Sequence, residues 1–311
     1  MCGGVQLEVA VARTIRTFLS LAAVLALLVT GVGSAAADKA DSLYKQGRAL
    51  KDKGKTDEAI EKLEAAVEER EDFALAWAAL GSLYKKKREY DKAINAYEQA
   101  VKYRKKDPVL WSNLGMAYYR DDRLDDATDA LQKSCKMDPK NAEVQANLGT
   151  IKRQNGDAKG AIQHLCRAYK MNTKDAEVAN NLGMAFRMAQ QNKKALLMFK
   201  RAIKLDDSVA VYHFNLGAAY RRQEDYDRAV RAYENSVELD PKMADGWYDL
   251  GVCYRANHDN DQAIAAFTHY LDIVREDDPA AAKQAQKEIA ALGGDKKKSR
   301  KVAKKRKHRR N

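Results

Sequence analysis

The amino-acid sequence predicts an all-α fold, a solenoid of seven 34-residue helix-turn-helix units closed by a C-terminal capping helix. Three observations carry that prediction. Gly47, Gly81, Gly115, Gly149, Gly183, Gly217 and Gly251 stand at a constant interval of 34 residues, and Ala59, Ala93, Ala127, Ala161, Ala195, Ala229 and Ala263 follow them by twelve. Self-similarity at such a period marks a stack of identical supersecondary units. The composition, 45% apolar and 32% charged with four prolines in 311 residues, suits amphipathic helices. An array grows linearly, so this length needs no second core.

Residues 1–37 have the pattern of an export signal. Arg13 and Arg16 precede an apolar run from Phe18 to Thr30, and Ala35-Ala36-Ala37 precede Asp38. Cleavage is expected after Ala37, giving an exported chain, periplasmic or secreted. An uncleaved membrane anchor is the alternative, although the run is short for a span.

Numbering each glycine as position 8 sets the units at 40–73, 74–107, 108–141, 142–175, 176–209, 210–243 and 244–277. Position 4 is Trp77, Trp111 and Trp247 in three units, position 7 is leucine in all but the first, and position 11 is mostly aromatic. Positions 4, 7, 8 and 11 share one helical face. Position 24, which is Leu63, Tyr97, Leu131, Leu165, Phe199, Tyr233 or Phe267, shares a face with the recurrent alanine. The two faces are expected to pack together, the glycine and alanine allowing close approach. A mid-helix glycine costs about 1 kcal/mol against alanine, so its recurrence argues steric need. Asp138-Pro139 and Asp240-Pro241 stop second helices. The fourth unit departs, with Gln145 and Lys152 at core positions, and looser local packing is expected there. His213 replaces the position 4 tryptophan and is expected to be a packed core imidazole.

A capping helix is expected over 278–294. Asp278-Pro279 supplies an N-cap and a first-turn proline, and Ala282, Ala285, Ile289 and Leu292 form an apolar stripe. Residues 295–311 hold eleven Lys or Arg against Asp295, a charge of +10, while the body from Asp38 to Gly294 carries only +1. This tail cannot bury a core and is expected to be disordered. Behind an export signal its target would be an anionic envelope surface, and in an intracellular chain it would be nucleic acid.

No catalytic residue, cofactor or metal site is expected. His164, His213, His258, His269 and His308 have no metal-ligand spacing, and neither a phosphate loop nor a nucleophile elbow occurs. Cys135 and Cys253 occupy small or apolar positions and read as buried thiols. Cys135 and Cys166 lie on second helices of adjacent units, and spacing leaves open whether they pair.

The pattern Trp77, Leu80-Gly81, Tyr84, Ala93 and Tyr97 resembles the tetratricopeptide repeat family, and the resemblance covers residues 40–277. It implies a right-handed superhelix with first helices lining a concave groove, reached by positions 2, 5, 6, 9, 12 and 13. Position 6 is then a ladder of Asn113, Asn147, Asn181 and Asn215, followed by Asp249. Positions 12 and 13 supply Arg120, Arg153, Arg187, Arg221, Arg222 and Arg255. Amides can pair with the main chain of an extended peptide, and guanidinium forks suit carboxylates. Glu143, Glu177 and Asp245 at position 2 run against an acidic ligand, and salt bridges between neighbouring units are the alternative use of position 12. The basic residue at position 5 and asparagine at position 9 that the family's carboxylate clamp needs do not coincide in any unit.

The expected function is a non-enzymatic protein-binding scaffold that holds an extended, acidic peptide segment in its groove, within a bacterial envelope assembly. The alternative is an intracellular adaptor of the same family whose basic tail binds nucleic acid or anionic membrane.

Overall fold

The computed structural model describes residues 37–293. The expected export signal, Ala37 apart, and the polybasic tail at 295–311 lie outside the described residues. Among the described residues there are fifteen α-helices and no strand, and none of these helices is long and apolar enough to cross a membrane. They fall into two compact units that divide after Pro139.

The first unit holds α1 (37–52), α2 (Thr56–Glu69), α3 (Ala74–Lys87), α4 (Tyr90–Tyr103), α5 (Pro108–Arg120) and α6 (Leu124–Met137). The second holds α7 (Ala142–Gln154), α8 (Ala158–Met171), α9 (Ala176–Met188), α10 (Asn192–Leu205), α11 (Ala210–Arg221), α12 (Tyr226–Leu239), α13 (Ala244–Ala256), α14 (Asn260–Val274) and α15 (Pro279–Ala291). Within each unit consecutive helices pack in sequence, and the tightest pairs are the hairpins of one repeat, such as α5 with α6 and α7 with α8.

The recurrent glycine receives the position 24 side chain of its own repeat. A Cβ on Gly183 would lie 2.6 Å from the Phe199 ring, and one on Gly149 would lie 2.7 Å from Leu165 Cγ and 3.0 Å from the Leu165 backbone nitrogen. Phe199 and Leu165 are fully buried in one cluster with Ala161, Leu182 and Ala195. Helix–helix approach is therefore set by a large side chain seated on a bare backbone.

The turn between first and second helices has a requirement that the 34-residue spacing does not show. Position 15 is left-handed in all seven repeats, at Gly54, Arg88, Asp122, Gly156, Gln190, Glu224 and His258, with φ from 59° to 81°. Only Gly54 and Gly156 meet this without a Cβ penalty, and their shared position is the trace of it in the sequence.

Position 4 ties each first helix to the loop before it. Trp77 Nε1 donates to the Glu71 carbonyl at 2.8 Å, and Trp111 and Trp247 do the same to Lys105 and Pro241. His213 is buried, and its Nε2 donates to the Asp207 carbonyl at 3.0 Å, so the imidazole takes over the indole's bond. In the fourth repeat the expected loose packing is not found. Gln145 is 0% exposed, and its Oε1 accepts from His164 Nδ1 at 2.8 Å. Lys152 Nζ meets Asp157 at 2.9 Å, at the edge of the same site.

Cys166 and Cys253 carry free thiols, and burial pushes the Cys253 thiol up to about 12. In α15 the Asp278 carboxylate caps Ala280 and Ala281 N–H, and Ala282 and Ala285 cover Leu271 of α14.

Candidate ligand face of the first helices

The first helices α7, α9 and α13 present an acid near the start, Glu143, Glu177 or Asp245, and a base near the end. Positions 2 and 12 are ten residues apart, about 15 Å along a helix axis. On α7 and α9 this places exposed Glu143 and Glu177 at one edge and half-buried Arg153 and Arg187 at the other. Position 6 lies between them.

In the second unit Asn147 and Asn181 are half-buried and line one cavity of about 300 Å³. Thr150, Asn172, Glu143 and Glu177 complete its polar wall. The Asp175 carboxylate also borders it, and its Oδ1 accepts the Val178 N–H at 2.9 Å, capping α9. Asn113, on α5 of the first unit, is also half-buried.

Asn215 departs from the expected ladder. It is 3% exposed, and its Nδ2 donates to Asn180 Oδ1 at 2.9 Å. Asn180 stands at position 5, outside the position 6 ladder, and is itself buried. Position 5 of one first helix meets position 6 of the next where α9 touches α11, so these amides satisfy each other. The one signal for this in the sequence is a pair of asparagines 35 residues apart.

The basic ladder also divides. Arg221 Nη1 meets Asp249 Oδ1 at 3.1 Å, and Asp249 Oδ2 accepts the Tyr233 hydroxyl at 3.0 Å. Burial raises the Asp249 carboxyl, and Arg221 and Tyr233 oppose that rise. Arg255 is paired with Glu288 of α15. For these two arginines the salt-bridge use of position 12 holds. Arg120 is exposed, with its guanidinium 5.9 Å from the Tyr119 ring. Arg187 and the exposed Arg222 lie near enough to repel, and neither has a carboxylate partner among the described residues. Burial lowers the Arg187 pKa, and Arg222 lowers it further.

A face with two open amides, an acidic edge and an unneutralised arginine pair can hold an extended polar chain in one direction. Side-chain amides can pair with a peptide backbone, and guanidinium groups can pair with anions.

Two family models match the chain. One is described as the Cilia and flagella-associated protein 70 C-terminal domain and matches residues 7–214, and the other, Tetratricopeptide repeat, matches 214–282. No curated protein matches in sequence. Among solved structures, MamA is 27% identical over 52% of this chain and 95% of that one, with a TM-score of 0.50. YrrB, described as a TPR protein with an unusual peptide-binding site, is 22% identical over 58% of this chain and 93% of its own, at 0.52. The C-terminal part of a TPR repeat-containing protein from Cytophaga hutchinsonii is 19% identical over 79% and 99%, at 0.62.

Proposed function

The chain belongs to the tetratricopeptide repeat family, whose arrays are interaction scaffolds and typically non-enzymatic, and from that premise we propose that it captures an extended, acidic peptide segment of a partner protein on the face of its first helices. The observation that carries this reading is the pair Asn147 and Asn181, one repeat apart in one cavity. Their spacing suits repeated contacts with a main chain, while acidic side chains of the ligand point away from Glu143 and Glu177 and toward Arg153 and Arg187. The acid-to-base gradient along α7 and α9 fixes the direction of the bound peptide. The setting we propose is an exported chain in a bacterial envelope assembly, on the strength of Arg13, Arg16 and the apolar run before Asp38.

The test uses a panel of labelled ten-residue peptides, acidic, neutral and basic, with binding followed by fluorescence anisotropy. The acidic set should bind, more weakly as salt rises. Replacing Asn147 and Asn181 together by alanine should abolish that binding and leave helicity unchanged. Preference for the basic set, or binding untouched by the double replacement, refutes the reading. N-terminal sequencing of the mature chain checks the exported setting, which requires a start at Asp38.

A further inference from the structure

The end of α4 and the loop that leads to α5 carry a concentration of charge that the ligand face does not use. Lys102, Arg104, Lys105 and Lys106 fall within five residues, and all four are exposed. The nearby acids are already engaged. Glu71 accepts the Tyr103 hydroxyl at 2.7 Å and lies 3.6 Å from Lys102, and Asp107 Oδ1 caps the N–H groups of Val109 and Leu110. Arg104, Lys105 and Lys106 have no carboxylate partner among the described residues. A further cation is held beside them, because Trp111 donates to the Lys105 carbonyl and carries Lys133 over its ring at 4.3 Å.

Position 31 shows what this loop gives up. In three later repeats it is Asn172, Asp206 or Asp240, and the side chain accepts the N–H two residues on at 3.0–3.1 Å, closing the turn. Arg104 stands there instead and cannot accept. Arg70, at the same position of the first repeat, is explained by Asp41 at 2.7 Å and by the Phe73 ring beneath it. Arg104 has no such internal role among the described residues.

We propose that the 102–109 edge of the first unit docks onto an anionic phospholipid surface. The cations border an open hollow of about 690 Å³, room for a lipid headgroup. Val109, 60% exposed, projects an apolar group next to them, as an interfacial contact requires. Each lysine or arginine near such a surface contributes attraction, and exposed apolar groups enter the headgroup boundary. Single-stranded nucleic acid fits less well. It would need bare aromatic faces for stacking, and Lys102 covers Tyr103 as Lys133 covers Trp111.

The experiment is sedimentation of the full chain with vesicles of phosphatidylcholine containing one quarter phosphatidylserine. The triple variant Arg104→Asn, Lys105→Gln, Lys106→Gln restores a turn-closing side chain, so thermal unfolding should match wild type. Its partition coefficient should fall about a hundredfold, since three cations each contribute about 1 kcal/mol. A charge-matched control, Lys45→Gln, Lys53→Gln, Lys86→Gln, should lose less than threefold. In wild type, amide exchange at 102–110 should slow with these vesicles and not with pure phosphatidylcholine. Equal losses in the two variants would reduce the effect to net charge and overturn the proposal. So would an unchanged partition, or a loss confined to a single-stranded oligonucleotide, which would make the edge a nucleic-acid site.

Discussion

The side-chain amide nitrogen of Asn215 donates to the side-chain oxygen of Asn180 at 2.9 Å, and both residues are buried. This bond ties α9 to α11 and takes one expected rung out of the ligand face. Replacing Asn215 alone by alanine strands the Asn180 oxygen and should cost about 1–3 kcal/mol. Replacing both Asn180 and Asn215 by alanine removes the orphan and should cost less than the sum of the two single alanine changes. Urea unfolding of the four-member cycle measures the coupling, and additive costs would show that the bond contributes nothing.

Gly149 tests the close-approach argument. An alanine Cβ would meet Leu165 Cγ at 2.7 Å, the Leu165 backbone nitrogen at 3.0 Å and the Ala161 carbonyl at 3.2 Å, and backbone atoms cannot swing aside. Gly149→Ala gains about 1 kcal/mol of helix propensity and loses about 1–3 kcal/mol to overpacking. The expected result is a lower Tm. A higher Tm would show that α7 and α8 separate at little cost.

His258 gives a prediction of opposite sign. It holds φ at 63° at the left-handed position of the seventh repeat, and its side chain is exposed. His258→Gly should stabilise by about 0.5–1 kcal/mol, the relief of left-handed strain exceeding glycine's extra unfolded entropy. Thermal melts of the two proteins measure this backbone effect, and a lower Tm in the variant would count against it.

His164 makes stability depend on pH. Burial lowers its pKa below the usual 6.5, Arg167 and Lys152 lower it further, and Asp157 opposes them. The folded state thus takes up this proton at lower pH than the unfolded chain. Its contribution is whole above pH 6.5 and is lost as pH falls through the folded pKa. Chemical denaturation between pH 8 and pH 5 should show a loss that His164→Gln reduces. An identical pH profile in the variant would count against this role.

Much of the scaffold is legible in the chain because a repeat multiplies weak evidence. One glycine on a helix says little, but seven in phase with seven alanines show which face is crowded, and Phe199 on Gly183 is that crowding. The left-handed position 15 was hidden because five of seven repeats accept strain there without glycine. The candidate site was less legible. Position 6 identified Asn147 and Asn181, which share a cavity, and equally Asn215, which does not reach solvent.

By itself the sequence determined the helix pairs, their phase, the buried stripe and the confinement of net charge to 295–311, because period and composition are properties of the chain alone. Only the tertiary structure decided which polar groups remain open. Asn215 is spent on Asn180, Arg221 on Asp249 and Arg255 on Glu288, while Arg187 and Arg222 meet no acid among the described residues. The reason is that satisfaction of a polar side chain depends on the neighbour that packing brings to it. That neighbour lies 28 to 35 residues away in these three pairs, on a different helix, where no local pattern records it.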